Sequence, residues 1–347
     1  MSWNFRNKME YNRILITGGC GFLGQHLTKD LLEHFPRVRI KLLDIRPNPN
    51  PLFDFNENPN VEIALEKDIC NYDSIKNEFD NIDLVIHLAG LVSFSVKDKD
   101  LLQNVNVQGT KNILKALQEN NIENFIHISS VAALGYSDDE NKPVNEQFEF
   151  DWNIAAKRKK YYMLTKHLAD LEVQKQIRKS LNAIIFYPGL MLGPGDRTNS
   201  PKLINAIKKG KIPFNMPGGT NIIDVRDVSR GIVTALEKNI TNGDYLLSGY
   251  NLTFKNVNET IAKILSAKTP KLTLPGFLNN FLFRILLFVE STAKNKLSLT
   301  ADNLDSAFKF RYFDNTKARE QLLWQPKINF EKTIKDTIEW MNQNDFF

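Results

Sequence analysis

Cysteine is nearly absent from this chain, since Cys20 and Cys70 are the only two among 347 residues. Two thiols are too few for a disulfide framework, and such low use of cysteine fits a reducing compartment such as the cytoplasm. The five histidines have no partners at metal-ligand spacing, so we predict no metal site. A chain of this length buries enough surface to fold without such cross-links.

Long apolar segments are also missing. Residues 1–13 lack the apolar core and small-residue cleavage site of a signal peptide. The most apolar stretch, residues 272–289, is interrupted by a proline, two asparagines and an arginine, so we expect no transmembrane segment. Two interpretations of this stretch remain open: a buried helix, or a helix that covers a substrate pocket or contacts a membrane surface peripherally.

A strong charge imbalance is absent as well, because the formal net charge is +5. The densest basic run, residues 157–160, is typical of a solvent-exposed helix face, with steering of an anionic substrate as the alternative. No interleaved aromatic residues or nucleic-acid-binding motif accompany this run. The sequence therefore favours a small-molecule substrate over a nucleic-acid partner.

Internal repeats are not present, and the first half of the chain instead alternates apolar strand-like segments with helix-like ones. Continuous apolar strands separated by helices indicate a parallel sheet covered on both faces. The fold class predicted is α/β, with a Rossmann-type doubly wound sheet. The predicted strands are residues 13–17, 38–43, 61–65, 83–87, 125–128 and 183–187, and the predicted helices between them are 22–33, 101–119 and 161–179.

The alternation weakens after Pro188, where glycine- and proline-rich turns become frequent. Helices are predicted at 225–237 and 331–341, with an isolated strand near 245–247. We therefore expect a nucleotide-binding domain over 1–189, with returns from about 221–250, and a smaller, mostly helical substrate lobe over 190–347 that is interleaved with it.

Three glycines follow the first predicted strand: Gly18, Gly21 and Gly24. The first permits a tight turn, the second a close approach to a pyrophosphate, and the third packing of the helix near the sheet. Amide groups at the start of the helix would then receive the phosphates. Because this triplet lies between a strand and a helix, it predicts a dinucleotide site.

Asp44 ends the second strand, where a carboxylate accepts hydrogen bonds from the adenosine ribose hydroxyls and repels a 2′-phosphate. This favours NAD. Arg46, two residues later, would accommodate that phosphate, so NADP stays an alternative.

Tyr162 and Lys166 are spaced four residues apart in a predicted helix and so share one face. A nearby ammonium favours the phenolate, which would lower the pKa of Tyr162 and let it exchange a proton with a carbonyl or alcohol oxygen. Ser130, just after the fifth strand, would hydrogen-bond the same oxygen. Tyr161 is a poor alternative, because Thr165 rather than a lysine follows it at this spacing.

The order of these motifs over nearly the whole chain resembles the extended short-chain dehydrogenase/reductase superfamily, also called the NAD-dependent epimerase/dehydratase family. Two segments, GGTNIIDVRDVSRG and FDNTKAREQLLW, are similar to its dihydroflavonol-reductase-like and 3β-hydroxysteroid-dehydrogenase-like branch. The motifs are TGGCGFLG (17–24), the acid at 44, KDI (67–69), HLAG (87–90), NVQGT (106–110), ISSVAALG (128–135), YMLTK (162–166) and GPGD (193–196).

This resemblance implies further roles for individual residues. It identifies Ser130, Tyr162 and Lys166 as the catalytic group, with Lys166 also holding the nicotinamide ribose. It also implies a homodimer formed through the helices at 101–119 and 161–179. The cofactor-binding residues that it implies beyond those already named are Phe22, Leu23, Asp68, Ile69, Leu88, Ala89, Gly90 and Pro188.

Four positions depart from relatives that act on nucleotide sugars. Dehydratases place an Asp-Glu pair where Val131 and Ala132 stand here, which argues against dehydration by that route. Epimerases tend to carry an asparagine where Leu190 stands and an arginine where Thr220 stands. These losses indicate a pocket poorly suited to a diphosphate.

The sequence as a whole thus predicts an NAD(P)-dependent oxidoreductase that transfers a hydride to or from a secondary alcohol or ketone on a rather apolar substrate. Two alternatives remain: an NAD-dependent nucleotide-sugar epimerase, and a non-catalytic dinucleotide-binding protein that acts through a partner.

Overall fold

Seven parallel strands form the main sheet of the computed structural model, which describes residues 11–49 and 51–346. Their order is β3-β2-β1-β4-β5-β6-β9, so the chain starts in the middle of the sheet and winds outwards in both directions. The strands are β1 (Arg13–Thr17), β2 (Arg39–Leu43), β3 (Val61–Ala64), β4 (Leu84–His87), β5 (Asn124–Ile128), β6 (Asn182–Pro188) and β9 (Gly243–Leu247).

Helices cover both faces of this sheet. Alternate residues of β1 point to opposite sides: Ile14 and Ile16 pack in the core beneath α1 and α8, whereas Leu15 packs in the core beneath α4 and α6. All three are completely buried, which explains why the strand is continuously apolar in sequence. These helices are α1 (Phe22–His34), α4 (Gly109–Glu119), α6 (Tyr161–Ile177) and α8 (Val225–Glu237).

A second, three-stranded sheet belongs to the smaller lobe. It consists of β7 (Leu190–Leu192), β8 (Gly219–Asp224) and β10 (Tyr250–Thr253), with β8 in the middle. After β8 the chain returns through α8 to β9, which pairs with β6 in the main sheet. Helices pack against the small sheet through their own apolar core. These helices are α7 (Asn199–Lys208), α9 (Phe254–Leu265) and α13 (Phe330–Gln343).

The α/β doubly wound fold with a smaller, mostly helical C-terminal lobe is confirmed. The predicted helix at 101–119 lies in a longer helical run, which has a π-helical middle at Gln103–Gln108. Short 3₁₀ segments occur at Lys76–Glu78, Val96–Asp98, Val131–Ala133 and Gly276–Leu278. The remaining helices are α2 (Tyr72–Ile75), α3 (Lys99–Leu102), α5 (Trp152–Lys157), α10 (Asn279–Thr292), α11 (Ala301–Ala307) and α12 (Thr316–Gln321).

Two sequence interpretations were wrong at the level of single side chains. The basic run at 157–160 is not a uniformly solvated face, because Lys160 is buried and forms ion pairs with Asp302 and Asp305. The apolar stretch is not a buried helix either, since only three side chains of α10 are buried. In both cases, burial depends on whether a distant segment of the chain packs against these residues, and a local sequence pattern does not reveal this.

No helix among the described residues has the length and apolarity needed to cross a membrane. The expectation of no signal peptide concerned residues 1–13, of which 1–10 lie outside the described part of the chain.

Candidate active site

The glycine turn between β1 and α1 lies against the loop that follows β4. Gly18 adopts a left-handed conformation (φ +68°), and a Cβ there would stand 2.9 Å from Cα of Ala89. At Gly24 a Cβ would stand 2.3 Å from the carbonyl oxygen of Gly19. A side chain would clash with the neighbouring backbone at either position, so both must be glycine. The turn can therefore stay tight, without side chains at these two positions that would cover its backbone.

The start of α1 has no side-chain cap. Its N-cap is Gly21, which has no side chain to accept a hydrogen bond. The amides of the first turn, which begins with Phe22 and Leu23, therefore donate to no capping side chain. Uncapped amides at a helix N-terminus form a site for an anion such as a pyrophosphate. The cradle formed here by glycines and amides thus fits the phosphates of a dinucleotide.

Asp44 lies beside this turn, at the end of β2. Its carboxylate accepts hydrogen bonds from the backbone amides of Cys20 (3.0 Å) and Ile45 (2.8 Å). Burial raises the pKa of Asp44, and these amides and Arg46 oppose that effect. The carboxylate is thereby held next to the position that the ribose of a dinucleotide would take, while Arg46 is exposed.

The other predicted cofactor residues lie along the same edge of the sheet. Asp68 caps its own loop by accepting from the amide of Cys70 (2.9 Å), and the buried Ile69 packs against Gly109 of α4. Leu88, Ala89 and Gly90 follow β4. Pro188 is the last residue of β6.

Asn106 braces the loop after β4 from the π-helical segment. Its amide oxygen accepts from the amide of Leu91 (2.8 Å), and its amide nitrogen donates to the carbonyl of Leu91 (3.1 Å) and to Thr165 (3.2 Å). A π-helical turn often marks a functional site, and here it brings this side chain between the loop and α6. Asn106 therefore joins the cofactor edge to the helix that carries Tyr162 and Lys166.

Ser130 and Tyr162 are brought together by β5 and α6. The ring of Phe94 packs edge-on against the ring of Tyr162, with centroids 5.5 Å apart, and the hydroxyl of Ser130 lies close enough to act on the phenol. Burial raises the pKa of Tyr162, whereas Ser130 and then Arg311 lower it. Tyr162 is therefore a neutral phenol at neutral pH, in a position to donate its proton.

Lys166 is buried one helical turn away, and its ammonium donates to the carbonyl of Ile128 (3.0 Å). Burial lowers the pKa of Lys166 to about 8, and Asp170 raises it. We expected this ammonium to lower the pKa of Tyr162. In the structure the pKa of Tyr162 is raised instead, because burial is the largest effect. The lysine loses its proton near pH 8, below the range in which the buried phenol would ionise.

Asp170 is a functional candidate that the sequence analysis missed. It is buried on α6, where it accepts a hydrogen bond from Ser129 (2.9 Å) and lies 3.2 Å from Nε2 of His127. Burial raises the pKa of Asp170 to about 7, and the Lys166 charge opposes this rise. An acid four residues after a helical lysine was a sequence signal, but burial gives it its importance.

A cavity opens directly beside Tyr162, between the main domain and the helical lobe. Its apolar wall includes Phe94, Ala132 and Met163, and its polar lining includes Lys160, Asp302, Ser306 and Arg311. A more open cleft, lined by Arg230 and Arg319, lies elsewhere and holds none of the predicted residues. The cavity beside Tyr162 is small, so a substrate would reach the phenol there only if the walls of the cavity move apart. Its place beside Tyr162 makes it the candidate substrate site.

One of the four positions that depart from nucleotide-sugar enzymes, Ala132, lines this cavity. Val131 and Ala132 are buried in the 3₁₀ turn after Ser130, Leu190 begins β7, and Thr220 is buried in β8. None of these four side chains offers a carboxylate, an amide or a cation. Among the described residues, no group of three or more acidic, histidine or cysteine side chains is arranged to hold a metal ion.

Comparisons with known proteins show the family to which the chain belongs. The model of the NAD dependent epimerase/dehydratase family matches residues 14–248. A putative dihydroflavonol 4-reductase of Synechocystis is 26% identical over 95% of both chains. The decarboxylating sterol-4-alpha-carboxylate 3-dehydrogenase of Bos taurus is 27% identical, over 94% of this chain and 91% of that one.

Among solved structures, dTDP-glucose 4,6-dehydratase of Bacillus anthracis in complex with NAD has a similar fold. The TM-score is 0.74 at 18% identity, over 96% of this chain and 97% of that one. The chain is an NAD(P)-dependent oxidoreductase and belongs to the NAD-dependent epimerase/dehydratase family, that is, to the extended short-chain dehydrogenases/reductases.

Proposed function

We propose that this enzyme interconverts a secondary alcohol and a ketone on an apolar, sterol-like substrate bound in the cavity beside Tyr162. The observation that carries the proposal is the placement of Ser130 close to Tyr162, whose phenol borders a cavity with an apolar wall. The dehydrogenase and reductase names of the relatives support the same reaction class.

In the proposed mechanism, Tyr162 is the acid/base and exchanges its phenolic proton with the substrate oxygen. Ser130 hydrogen-bonds that oxygen and orients it. When bound, the nicotinamide supplies or accepts the hydride. Lys166 holds the nicotinamide ribose and places a positive charge one helical turn from Tyr162. Because the pKa of Tyr162 is raised, the phenol is protonated at neutral pH and carries the proton that ketone reduction requires.

For the cofactor, we propose that NAD is preferred to NADP. Asp44 is held by two backbone amides beside the glycine turn, and a carboxylate there repels a 2′-phosphate. The proposed cofactor contacts are Gly18, Gly21, Phe22, Leu23, Gly24, Asp44, Asp68, Ile69, Leu88, Ala89, Gly90, Tyr162, Lys166 and Pro188.

Cofactor binding and substrate binding are assigned to different parts of the chain. We propose that residues 1–189, with the return through 221–250, hold the cofactor and that residues 190–347 hold the substrate. A cytoplasmic location and a homodimer formed through α4 and α6 are further proposals, which are based on the low cysteine content and on the family resemblance.

The nucleotide-sugar epimerase alternative is disfavoured. Leu190 and Thr220 supply neither the amide nor the cation that a diphosphate would need, and Phe94, Ala132 and Met163 give the cavity an apolar side. The third possibility, a non-catalytic binding protein, is disfavoured by the intact Ser130–Tyr162 pair.

The exposed face of α10 is proposed as a peripheral membrane contact. Phe277, Phe281 and Phe288 are 82%, 64% and 70% exposed, and their spacing places them along one side of the helical segment. Exposed basic residues flank this stripe, among them Arg284 and Lys294. Aromatic side chains next to cations are typical of a helix that lies in an anionic lipid interface.

This helix is also tied to the substrate cavity. Glu290 of α10 is fully buried and accepts a hydrogen bond from the amide of Val96 (2.9 Å), in the loop that carries Phe94. An apolar substrate would thus leave the membrane close to the site that binds it.

Removal of the phenol tests the acid/base role. Tyr162→Phe should lower turnover by roughly 100- to 10,000-fold, because no other group replaces the proton donor. Cofactor affinity, measured by titration, should change by only about two- to threefold, because every other proposed cofactor contact remains and only one hydrogen bond is lost. Tyr161→Phe is the matched control, since this neighbouring tyrosine faces Lys99 instead (5.7 Å from ring centroid to Nζ). Substantial activity in the Tyr162→Phe enzyme would refute the assignment.

Removal of the buried acid tests the electrostatic support of Lys166. Asp170→Asn should lower the pKa of Lys166 further, because the carboxylate that raises it is gone. At pH 8 a larger fraction of Lys166 is then uncharged in the variant than in the unaltered protein. Alcohol oxidation should therefore fall about three- to tenfold at this pH. Near pH 6 the two enzymes should converge, because Asp170 is then protonated in the unaltered protein.

The readout is the pH profile of kcat/KM. Glu172→Gln removes a partly exposed acid from the same helix and should leave the profile in place. An equal loss at every pH in Asp170→Asn would indicate a purely structural role for this residue.

Cofactor choice is tested at Asp44. Asp44→Ala should raise the kcat/KM ratio of NADP to NAD by about 10- to 100-fold, because hydrogen bonds from the ribose to a charged group are lost. Arg46→Ala should instead reduce any use of NADP. A ratio unaffected by Asp44→Ala would contradict the NAD preference. Tight retention of NAD that does not exchange with labelled NAD would favour the epimerase alternative.

Vesicle sedimentation tests the membrane contact. The unaltered protein should sediment with vesicles of phosphatidylcholine and phosphatidylserine, and Phe281→Ser/Phe288→Ser should abolish this. Leu323→Ser removes an exposed apolar residue elsewhere and is the control. If the double variant instead changes the oligomeric mass without affecting sedimentation, the stripe is an interface between copies of the chain.

A further inference from the structure

A buried imidazole and a buried carboxylate face each other close to the proposed catalytic group. His127 of β5 is 1% exposed, and Asp170, one helical turn beyond Lys166 on α6, is 3% exposed. Nε2 of His127 lies 3.2 Å from Oδ1 of Asp170, whose other oxygen accepts a hydrogen bond from Ser129 (2.9 Å). Among the described residues, neither ring nitrogen of His127 nor Oδ1 of Asp170 has a hydrogen-bond partner. Unsatisfied buried atoms of this kind are rare, and two of these three face each other.

The ring of His127 is uncharged at neutral pH. Burial, and then the charge of Lys166, hold the pKa of His127 well below the usual value for histidine. A neutral imidazole has one N–H donor and one acceptor nitrogen. Because Nε2 is the nitrogen that faces the carboxylate, only the Nε2–H tautomer offers Asp170 a donor. In that tautomer, a slight turn of either side chain completes a hydrogen bond to the carboxylate.

Stacked rings hold the plane of the His127 imidazole. This ring stacks on that of His87 on β4, with centroids 5.4 Å apart, and on that of Phe125, with centroids 6.0 Å apart. His87 is itself hydrogen-bonded to Thr17 (2.6 Å) and to Thr110 (3.1 Å). Thr17 is the last residue of β1 and directly precedes the glycine turn. The orientation of the imidazole is therefore fixed from the strands that form the cofactor edge.

One charged group dominates the surroundings of this imidazole and carboxylate. The titratable groups of the described chain that interact with them are Lys166, Tyr162 and His167 on α6, His87 on β4 and Tyr187 on β6. Burial lowers the pKa values of the two histidines and raises those of the two tyrosines, so all four are neutral at neutral pH. Lys166 is therefore the charged neighbour to which the ionisation of Asp170 is coupled.

A hydrogen bond to this carboxylate changes the charge on Lys166 indirectly. Burial raises the pKa of Asp170 to about 7, and a hydrogen bond made to the ionised form opposes this rise. The ionised Asp170 in turn raises the pKa of Lys166, which burial lowers to about 8. A donor on His127 therefore acts on the lysine through the carboxylate, because it favours the ionised Asp170 and the ionised Asp170 favours the protonated Lys166.

We propose that His127 is a positioning residue, whose Nε2–H donates to Asp170 and keeps this carboxylate ionised beside Lys166. The inference rests on the proposed function, in which Lys166 places its positive charge next to Tyr162. Because His127 is buried in β5, it contacts neither the substrate nor the cofactor and acts only through Asp170.

His127→Phe tests the donor, because it keeps an aromatic ring in the stack and removes the N–H. With NAD and a fused-ring 3-hydroxysteroid, kcat/KM of the full chain should fall about three- to tenfold between about pH 7 and pH 8. Over this range Asp170 is protonated to a larger extent in the variant, so Lys166 loses its proton more readily. Near pH 6 both groups are protonated in either protein, so the two pH profiles should meet.

Two further variants separate the donor from the packing. His127→Gln has a side-chain amide that can donate to Asp170, and it should recover most of the loss in the same pH range. His87→Phe is the matched control, since the hydrogen-bond partners of this buried ring are two threonines rather than a carboxylate. Any loss in His87→Phe should be the same at every pH.

Nitrogen NMR determines the tautomer without any measurement of activity. In protein labelled with isotopically enriched histidine, the His127 signals are those that His127→Phe lacks. They should show a neutral ring with its proton on Nε2, and their chemical shifts should move with pH as Asp170 ionises. This movement should vanish in Asp170→Asn.

Several results would overturn the proposal. A proton on Nδ1, a charged ring, or an equal loss at every pH in His127→Phe would make His127 a packing residue. A His127→Gln enzyme that is no better than His127→Phe, or a His87→Phe enzyme with the same pH-dependent loss, would remove the role of the donor. Failure of the proposed function has another signature: Tyr162→Phe would stay active or the steroid would not be turned over, while the NMR result would stand.

Discussion

The close contact between the glycine turn and the loop after β4 is the constraint on which the cofactor half of this protein depends. With a Cβ at Gly18 only 2.9 Å from Cα of Ala89, any side chain would push the two segments apart. Their contact lies between neighbouring strands β1 and β4, where the winding of the sheet reverses and ligands of such folds bind. Asp44 and Asn106 then fasten the surrounding loops by hydrogen bonds to backbone groups.

Buried charge organises the other half of the site. Lys160 is balanced by two carboxylates, Lys166 has only Asp170 nearby in the same helix, and Arg311 has no acidic partner among the described residues. Because burial penalises the charged form, each pairing decides at which pH a group carries its charge. The single acidic neighbour of Lys166 in this helix accounts for the proposed role of Asp170.

The helical lobe joins the surface to the cavity. Helix α10 has exposed aromatic side chains on its outer face, while its buried Glu290 accepts from the loop that carries Phe94. Phe94 in turn packs against Tyr162. One helix can therefore contact an apolar surface and shape the substrate cavity, an arrangement suited to a substrate of low solubility in water.

The sequence by itself determined the fold class, the glycine turn and the order of the proposed catalytic residues, because these depend on local patterns. Parallel strands buried on both faces are continuously apolar, glycine is needed where φ is positive or space is lacking, and a spacing of four places Tyr162 and Lys166 on one face. Only the tertiary structure decided the electrostatics. Lys160 and Asp302 are 142 residues apart, so no local pattern identifies their ion pair. Burial of Lys166 and Asp170, exposure of α10 and the missing acidic partner of Arg311 likewise depend on which distant segments pack together.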